Sequence, residues 1–452
     1  MIARSPPPSS ISTAFPTWSS CVAASAKIRA PSRSRCEPTS NPLLPVSHLL
    51  RRLIVIVASV ALAGLTVTRA AEAPRTISLR ADALVAARAE LAGGDVRRAA
   101  PLARLRAEAD KLLQRKPASV LDKTLTGASG DKHDYFSFAP YWWPDPKKPD
   151  GLPYIRDDGK LNPTARKGTD RTAFGDTCTA VETLGLAYFF TGDERYAQKA
   201  AVLTRTWFLD PATRMNPNLE HAQAIPGINH GRGIGIIESR GLLNLIDGLA
   251  LLAGSPARTA QDATAMAAWL SAYYGWLTTS KNGRDEAAAE NNHGSWCDVQ
   301  AVALALALGR TDDAKKILAA APAKRIARQI ESDGRQPLEL ERTKSLNYSL
   351  FNLEALLLLA RFGENVGVDL WGFSTADGRS LRAALRYVAP FADPAKQWPK
   401  QDIEAADRVR LLPLLVEALR HGDDPQFRQP LLNFGRRAAL AERWRLWSPP
   451  AP

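Results

Sequence analysis

The sequence lacks the short motifs that identify several large enzyme classes. It contains no G-x-G-x-x-G dinucleotide fingerprint, no phosphate-binding P-loop and no serine nucleophile elbow. No Cys/His spacing fits a zinc site, and there is neither an RNA-recognition motif nor a Lys/Arg-rich run. We therefore expect no cofactor, no metal ion in the site and no nucleic-acid partner.

Cysteine is scarce as well. Cys21 and Cys36 precede the expected mature chain, which leaves Cys178 and Cys297. In an oxidising compartment these two could form a disulfide, and the alternative is a pair of buried free thiols. Their spacing does not decide between the two.

Long apolar runs are also missing, because the stretch Leu53–Leu65 is too short to span a bilayer comfortably. Basic residues precede it and small residues follow it, which is typical of an export signal, although a membrane anchor is the alternative. We interpret residues 1–47 as disordered or as a start codon placed too far upstream, 48–73 as a signal peptide and 74–445 as the catalytic domain. This predicts a periplasmic or secreted protein, a monomer or weak dimer, with no stable membrane span after signal cleavage.

The chain carries a formal net charge of +13, and the part before residue 74 contributes +6 of it through eight basic and two acidic residues. The remaining +7 is a modest positive field that would steer polyanions toward a cleft. Since nucleic-acid motifs are absent, we expect an acidic polysaccharide.

Helical patterning dominates from residue 78 onward, and strand signals are sparse. Apolar residues recur at three- and four-residue spacing, which predicts amphipathic helices joined by short turns. The predicted helices cover two segments of 78–116 split at 93–95, then 179–191, 193–209, 235–252, 259–277, 296–308, 312–320, 324–331, 348–362, 380–390, 403–420 and 426–440. We predict an all-α fold, an (α/α) toroid of paired antiparallel helices. The alternative is an α-solenoid, but no fixed sequence repeat is visible.

Residues 117–171 interrupt the helices with a long segment rich in aromatic residues, proline and turn signals. Such a long ordered loop is usually functional. Its rings at Tyr141, Trp142 and Trp143 suit stacking on sugars, and the alternative is that they plug the end of the helical barrel.

Two polar clusters stand directly before predicted helices. The first, Asn291-Asn292-His293-Gly294-Ser295-Trp296, offers amides, an imidazole and an indole. The second runs from Glu339 to Tyr348 and adds Arg342, Lys344 and the phenol of Tyr348.

A third segment, Gly227–Gly233, contains Asn229, His230 and Arg232, and Arg240 follows it. Glycine lets the backbone approach a ligand closely, so the segment resembles a site loop. The alternative is an ordinary turn with a surface histidine.

These groups suit β-elimination beside a carboxylate. The C5 proton of a uronate is weakly acidic while its carboxylate is charged, so amides, a protonated histidine or an arginine must stabilise the enolate-like intermediate. A base removes the C5 proton and an acid protonates the departing O4. In syn geometry one phenol could do both transfers, whereas in anti geometry His293 would be the base and Tyr348 the acid.

The motifs around His293 and Tyr348, the Tyr-Trp-Trp-Pro-Asp-Pro loop and the Asn-His-Gly-Arg segment resemble the alginate lyase superfamily over roughly residues 90–400. The resemblance implies an α/α-toroid domain and catalysis by His293 and Tyr348, with Arg342 and an asparagine neutralising the substrate carboxylate. Asn292 fits that asparagine and Asn229 is its rival. The spacing of Arg342 and Tyr348 resembles the branch that cleaves glucuronan more than the dedicated mannuronate lyases.

Two other functions remain open from the sequence. A toroidal glycoside hydrolase needs two carboxylates ~5–10 Å apart, for which Glu339 and Glu341 are possible partners. A non-catalytic polysaccharide-binding protein would keep the aromatic loop but would not need the Arg/His/Tyr set.

Overall fold

The computed structural model describes residues 73–433 and Leu446. The expected signal peptide up to residue 72, the segment before it with Cys21 and Cys36, and the end of the last predicted helix lie outside the described residues. The helices in the first half are α1 (Ala81–Ala92), α2 (Ala99–Leu113), α3 (Arg171–Thr191), α4 (Glu194–Thr204), α5 (Leu242–Leu251), α6 (Ala260–Thr279) and α7 (Lys281–Ala288). Those in the second half are α8 (Asn292–Ala307), α9 (Thr311–Ala321), α10 (Ala327–Gln329), α11 (Pro337–Leu340), α12 (Ser345–Val366), α13 (Leu381–Val388), α14 (Leu411–Arg420) and α15 (Pro425–Asn433).

The helices form an inner and an outer layer, as the predicted all-α toroid requires. Helices α3 and α5 pack against each other, as do α8 and α12, whereas α4 lies on α3 and α9 lies on α8. In α8, 13 of 16 residues are buried, which places the helix in the inner layer. In α9 only three of 11 residues are buried, which places it in the outer layer.

The aromatic loop contains three short strands, and a fourth strand after α4 pairs with the first of them. The sequence did not predict these strands. Strand β1 (Phe136–Phe138) pairs in parallel with β4 (His221–Ala224), and β2 (Trp142–Trp143) pairs antiparallel with β3 (Ile155–Arg156). Strands of two to four residues are too short to show an alternating pattern.

Helices α8 and α12 begin at Asn292 and Ser345, earlier than the predicted starts at residues 296 and 348. The Oδ1 atom of Asn291 accepts the N–H of His293 at 3.1 Å, so this polar turn belongs to the helix through its cap. The residues from Asn292 to Ser295 therefore lie inside the first turn of α8 and those from Ser345 to Tyr348 inside the first turn of α12, whereas Arg342 and Lys344 precede α12. The predicted helix 403–420 differs in the opposite sense, because its α-helical part begins later than predicted, at Leu411.

Cys178 and Cys297, whose pairing the sequence left open, are both buried and free. Burial raises the pKa of both thiols above the ordinary range. The alternative of two buried free thiols is confirmed.

The segment before α1 is built into the barrel through Asp247 of α5. The buried Asp247 carboxylate accepts the backbone N–H groups of Ile77 and Leu79 at 2.5 and 2.7 Å, and it also accepts the Ser78 hydroxyl. Arg361 donates to the backbone carbonyl of Ser78. In the described part of the chain, no helix combines the length and the apolar character needed to cross a bilayer.

Candidate active site

The starts of α8 and α12, the aromatic loop and the segment after β4 surround a cavity of about 460 Å³. Nine predicted site residues line it: Tyr141, Trp142, Arg232, Arg240, Asn291, Asn292, His293, Arg342 and Tyr348. Nine others line it as well: Pro140, Arg156, Arg171, Gln223, Ile234, Ile237, Leu338, Glu341 and Phe351. The imidazole of His293 and the phenol of Tyr348 thus share one groove.

His293 is held by a buried carboxylate. Its Nδ1 atom lies 2.8 Å from Oε1 of Glu286, whose side chain is 1% exposed. A carboxylate only accepts, so this contact places a proton on Nδ1. The other ring nitrogen, Nε2, is the one available to a ligand in the cavity.

Asn292 is held in the same way by another carboxylate. Its backbone N–H and its side-chain Nδ2 donate to the two carboxylate oxygens of Glu339, each at 2.7 Å. Burial raises the pKa of Glu339, and the two hydrogen bonds from Asn292 oppose that shift. The Nδ2 atom keeps a second N–H, and Oδ1 has no partner among the described residues.

The glycine of this cluster, Gly294, is required by packing. A side chain there would collide with the carbonyl of Ala289 and with the guanidinium of Arg325. That guanidinium donates to the carbonyls of Ala287 and Ala289 at the end of α7 and pairs with Asp298 of α8. Arg325 therefore fixes the angle between the helix that carries Glu286 and the helix that carries His293.

Tyr348, Tyr141 and Arg342 form a hydrogen-bonded group across the cavity. The Tyr348 hydroxyl donates to the Tyr141 hydroxyl at 2.9 Å and accepts from the Arg342 guanidinium at 2.7 Å. Burial raises the pKa of Tyr348 above its ordinary value, while the charge of Arg342 works against that shift. The phenol is therefore protonated in the resting protein.

Asp158 of the aromatic loop anchors Arg342. Its carboxylate accepts from Nη2 and Nε of Arg342 at 2.8 and 3.1 Å and from Arg156 at 2.7 Å. Burial alone would raise the pKa of Asp158, but its hydrogen bonds and ion pairs with the two arginines hold the pKa below the ordinary range. Gly159, at φ +77°, lets the loop lie against Thr343, where any side chain would collide.

Two further arginines face the cavity without a carboxylate partner in the described part of the chain. Arg232 donates to the side-chain oxygen of Gln223 at 2.9 Å, and Arg240 lies over the ring of Phe351 at 5.4 Å. Burial lowers the pKa of Arg232 to about 10, so it remains charged at neutral pH. The cavity thus holds cationic charge that the protein does not neutralise.

Gln223 is the one described non-glycine residue with a positive φ, at 51°. Its side chain connects Arg232 with Glu238, to which its Nε2 donates at 3.1 Å. Glu238 also accepts from Tyr135 and pairs with Arg171 at 3.2 Å. Strained residues concentrate at functional sites, and here the strain positions an arginine on the cavity wall.

Five predicted site residues do not line the cavity: Trp143, Asn229, His230, Trp296 and Lys344. Trp296 is 6% exposed, its indole N–H donates to the carbonyl of Phe351, and it belongs to the core. Asn229 accepts the backbone N–H groups of Ile225 and Gly231 and shapes a turn.

The other three lie outside the cavity lining and have other surroundings. The His230 ring is exposed, the Trp143 indole donates to the carbonyl of Lys160, and Lys344 pairs with Glu404. The presence of a polar or aromatic residue in a site loop does not determine which way its side chain points. These five residues are therefore not part of the cavity lining, contrary to the prediction.

Among the described residues, one group could hold a metal ion, namely Glu364, Glu417 and His421. It contains no cavity residue, and Arg80 forms ion pairs with both of its carboxylates. The residues that line the cavity include a single carboxylate, Glu341. The described residues therefore do not place there the two carboxylates that a glycoside hydrolase needs.

The sequence argument missed Glu286, Gln223, Asp158, Arg156 and Arg171 as parts of the site. Glu286 lies seven residues before His293, but the two helices that carry them meet at a bend that periodicity does not reveal. Asp158 lies among the turn signals of the aromatic loop, and its partner Arg342 lies 184 positions away. The one available signal was the charge of Arg342, because a guanidinium in a partly buried site needs a carboxylate partner.

A family model described as alginate lyase matches residues 119–398, more than half of the chain. The crystal structure of an alginate lyase from Bacteroides ovatus is 40% identical in sequence, covers 83% of this chain and 99% of its own, and superposes with a TM-score of 0.80. Alginate lyase A1-III from Sphingomonas species A1 is 18% identical, covers 72% of this chain and 90% of its own, and gives a TM-score of 0.46. No curated protein matches the sequence.

Proposed function

Because the chain belongs to the alginate lyase family, whose members are polysaccharide lyases, we propose that it cleaves alginate by β-elimination. The product would carry a 4,5-unsaturated uronate at its new non-reducing end. The observation that supports this most is the shared groove of His293 and Tyr348, with Arg342 and Asn292 beside them.

Carboxylate neutralisation comes first in the proposed mechanism. Asn292 offers its remaining amide N–H, and Arg342 offers a guanidinium already oriented by Asp158. Donors fixed in advance stabilise the charge that develops on the enolate-like intermediate without reorganisation. Asn229 serves a turn outside the cavity lining, which favours Asn292 for this role.

Proton transfer depends on the stereochemistry of the sugar. In guluronate the C5 proton and O4 lie on opposite faces, so His293 would take the proton at Nε2 while Tyr348 protonates O4. In mannuronate and glucuronate they lie on the same face, so Tyr348 would have to remove the proton and then deliver one to O4. The protonated resting state of Tyr348 suits the role of acid directly.

Arg232 and Arg240 would bind carboxylates of neighbouring sugars, because they bring charge that no described carboxylate neutralises. Tyr141 and Trp142 add aromatic rings to the lining, and the Trp142 ring lies 5.9 Å from the Arg232 guanidinium. We also propose that the enzyme is exported and meets its polymer outside the cytoplasm, which the N-terminal signal pattern supports. We propose a monomer or weak dimer.

The test is a screen of mannuronan, guluronan, glucuronan and hyaluronan for the ultraviolet absorbance of a new C4–C5 double bond. We expect the largest rate on an alginate block. A larger rate on glucuronan would reassign the substrate to glucuronate polymers, as the spacing of Arg342 and Tyr348 allows. Reducing ends formed without new absorbance would identify a hydrolase and overturn the proposal.

A further inference from the structure

We infer that Glu286 is the positioning residue that makes His293 a base, and that it serves specifically the substrates whose C5 proton lies anti to O4. This inference rests on the proposed function and extends it to a residue that does not itself touch the substrate.

The contact between the two side chains is short and shielded from water. Oε1 of Glu286 lies 2.8 Å from Nδ1 of His293, and the side chains are 1% and 16% exposed. The second oxygen, Oε2, has no partner among the described residues. A buried carboxylate with one oxygen committed to an imidazole and the other unpartnered has no evident role in holding the fold together.

The backbone keeps this carboxylate in place. Glu286 lies in α7, which packs against the helical turns of 233–241 and against the start of α8. Arg325 ties the end of α7 to α8 through the carbonyls of Ala287 and Ala289. The His293 ring is therefore oriented by two helices, and rotation of the ring would break its hydrogen bond to Glu286.

The carboxylate sets which nitrogen can act. With the proton on Nδ1, the lone pair of Nε2 faces the cavity and can take the C5 proton. The C–H electron pair forms the C4–C5 double bond, the C4–O4 bond breaks, and O4 takes the proton of Tyr348. His293 is then an imidazolium and Tyr348 a phenolate, and the carboxylate of Glu286 lies beside the new positive charge. Exchange of one proton from His293 to Tyr348 through solvent restores both groups.

Syn substrates do not need this arrangement. There Tyr348, as the phenolate, removes the C5 proton and then delivers it to O4 as that bond breaks, and His293 contributes only to binding. The two stereochemical classes of uronate therefore separate a role in proton transfer from a role in stability.

The experiment compares Glu286→Gln with the wild type on guluronan and on mannuronan. The amide would donate to Nδ1 and move the imidazole proton to Nε2, or keep the geometry without its charge. We expect kcat on guluronan to fall about 10²-fold, the lower end of what a positioned general base contributes, with KM changed less than about threefold. On mannuronan kcat should change less than about threefold.

The matched control is Asp285→Asn in the same helix, an exposed carboxylate paired with Lys281, which should leave both rates unchanged. Equal losses on both polymers in Glu286→Gln, or no loss on guluronan, would overturn the inference. So would a wild type that cleaves mannuronan but no anti substrate. A wild type inactive on every uronate polymer would instead refute the proposed function.

A spectroscopic measurement tests the same point without any change at Glu286. In protein labelled with ¹⁵N-histidine, with the His293 signal assigned by its loss in His293→Ala, we expect the tautomer protonated on Nδ1. A neutral ring protonated on Nε2 would overturn the inference even if Glu286→Gln failed to fold.

Discussion

The imidazole side and the phenol side of the cavity are built from different kinds of contact. His293 is positioned by Glu286, seven residues away, and by its own helix cap. Tyr348 and Arg342 depend on Tyr141 and Asp158, which lie 207 and 184 positions away in the aromatic loop. The imidazole side thus follows from how neighbouring helices pack, whereas the phenol side is complete only when a long loop has docked.

Tyr348→Phe should abolish most turnover of every substrate, because it removes the hydroxyl on which the phenol side depends. Without the hydroxyl, O4 has no proton donor in either stereochemistry, so kcat should fall about 10³-fold or more on mannuronan and guluronan alike. The assay is the rate of double-bond formation. Tyr387→Phe, outside the cavity, is the control, and near-normal rates in Tyr348→Phe would show that the acid is another group.

His293→Ala should separate the two sides. We expect a loss of about 10²–10³-fold in kcat on guluronan, since the base is gone, and a clearly smaller loss on mannuronan. His230→Ala is the control, because His230 is exposed and does not line the cavity. Losses of equal size on both polymers would mean that the two sides act as one unit.

Asp158→Asn should weaken the phenol side indirectly, through the ion pair that orients Arg342. Arg342 would lose a charged acceptor worth about 1.5–3 kcal/mol, so kcat/KM should fall about 10- to 100-fold on both polymers. The melting temperature should change little because Asp158 lies in a loop. Melting far below that of the wild type would show instead that Asp158 holds the fold.

The pH profiles of the two substrates should diverge. Burial raises the pKa of Tyr348, so its protonated form persists through neutral and mildly alkaline pH, and the guluronan rate should stay level there. A syn substrate needs the phenolate, whose fraction grows tenfold per pH unit below the pKa, so the mannuronan rate should rise with pH. Parallel profiles between about pH 7 and pH 9 would contradict this assignment of roles.

Arg240→Gln should have the smallest effect, since Arg240 belongs to neither side. Losing one unneutralised charge should raise KM about 5- to 10-fold at low salt and leave kcat nearly unchanged. Added salt should narrow the difference from the wild type, because it screens the attraction. A fall in kcat without a change in KM would give Arg240 a part in the reaction itself.

The helical toroid and most of the catalytic group could be predicted from the sequence because both depend on patterns between residues that are close in the chain. Helices are recognised by apolar residues at three- and four-residue spacing. The clusters around His293 and Tyr348 combine residue types that few structural roles require. The starts of α8 and α12 were placed late because apolar periodicity does not register a polar first turn.

The carboxylates that hold the site were harder to find. Glu286, Glu339 and Asp158 act through contacts between separate elements, and acidic residues are too common for their positions to stand out. Trp296 and Asn229 show the converse, because a suggestive residue can serve the core or a turn. Which way a side chain points is decided by packing, and one sequence carries little trace of it.

The docking of residues 77–79 onto Asp247 limits how far the chain can be shortened from its N-terminal side. An isolated carboxylate in the interior costs several kcal/mol, and here peptide N–H groups from outside the helices are among its main donors. A recombinant version that starts at α1 would leave Asp247 without them, so it should take up a proton there, lose stability and tend to aggregate. Removal of a leader peptide by cleavage before Ile77 would leave the contacts between residues 77–79 and Asp247 intact.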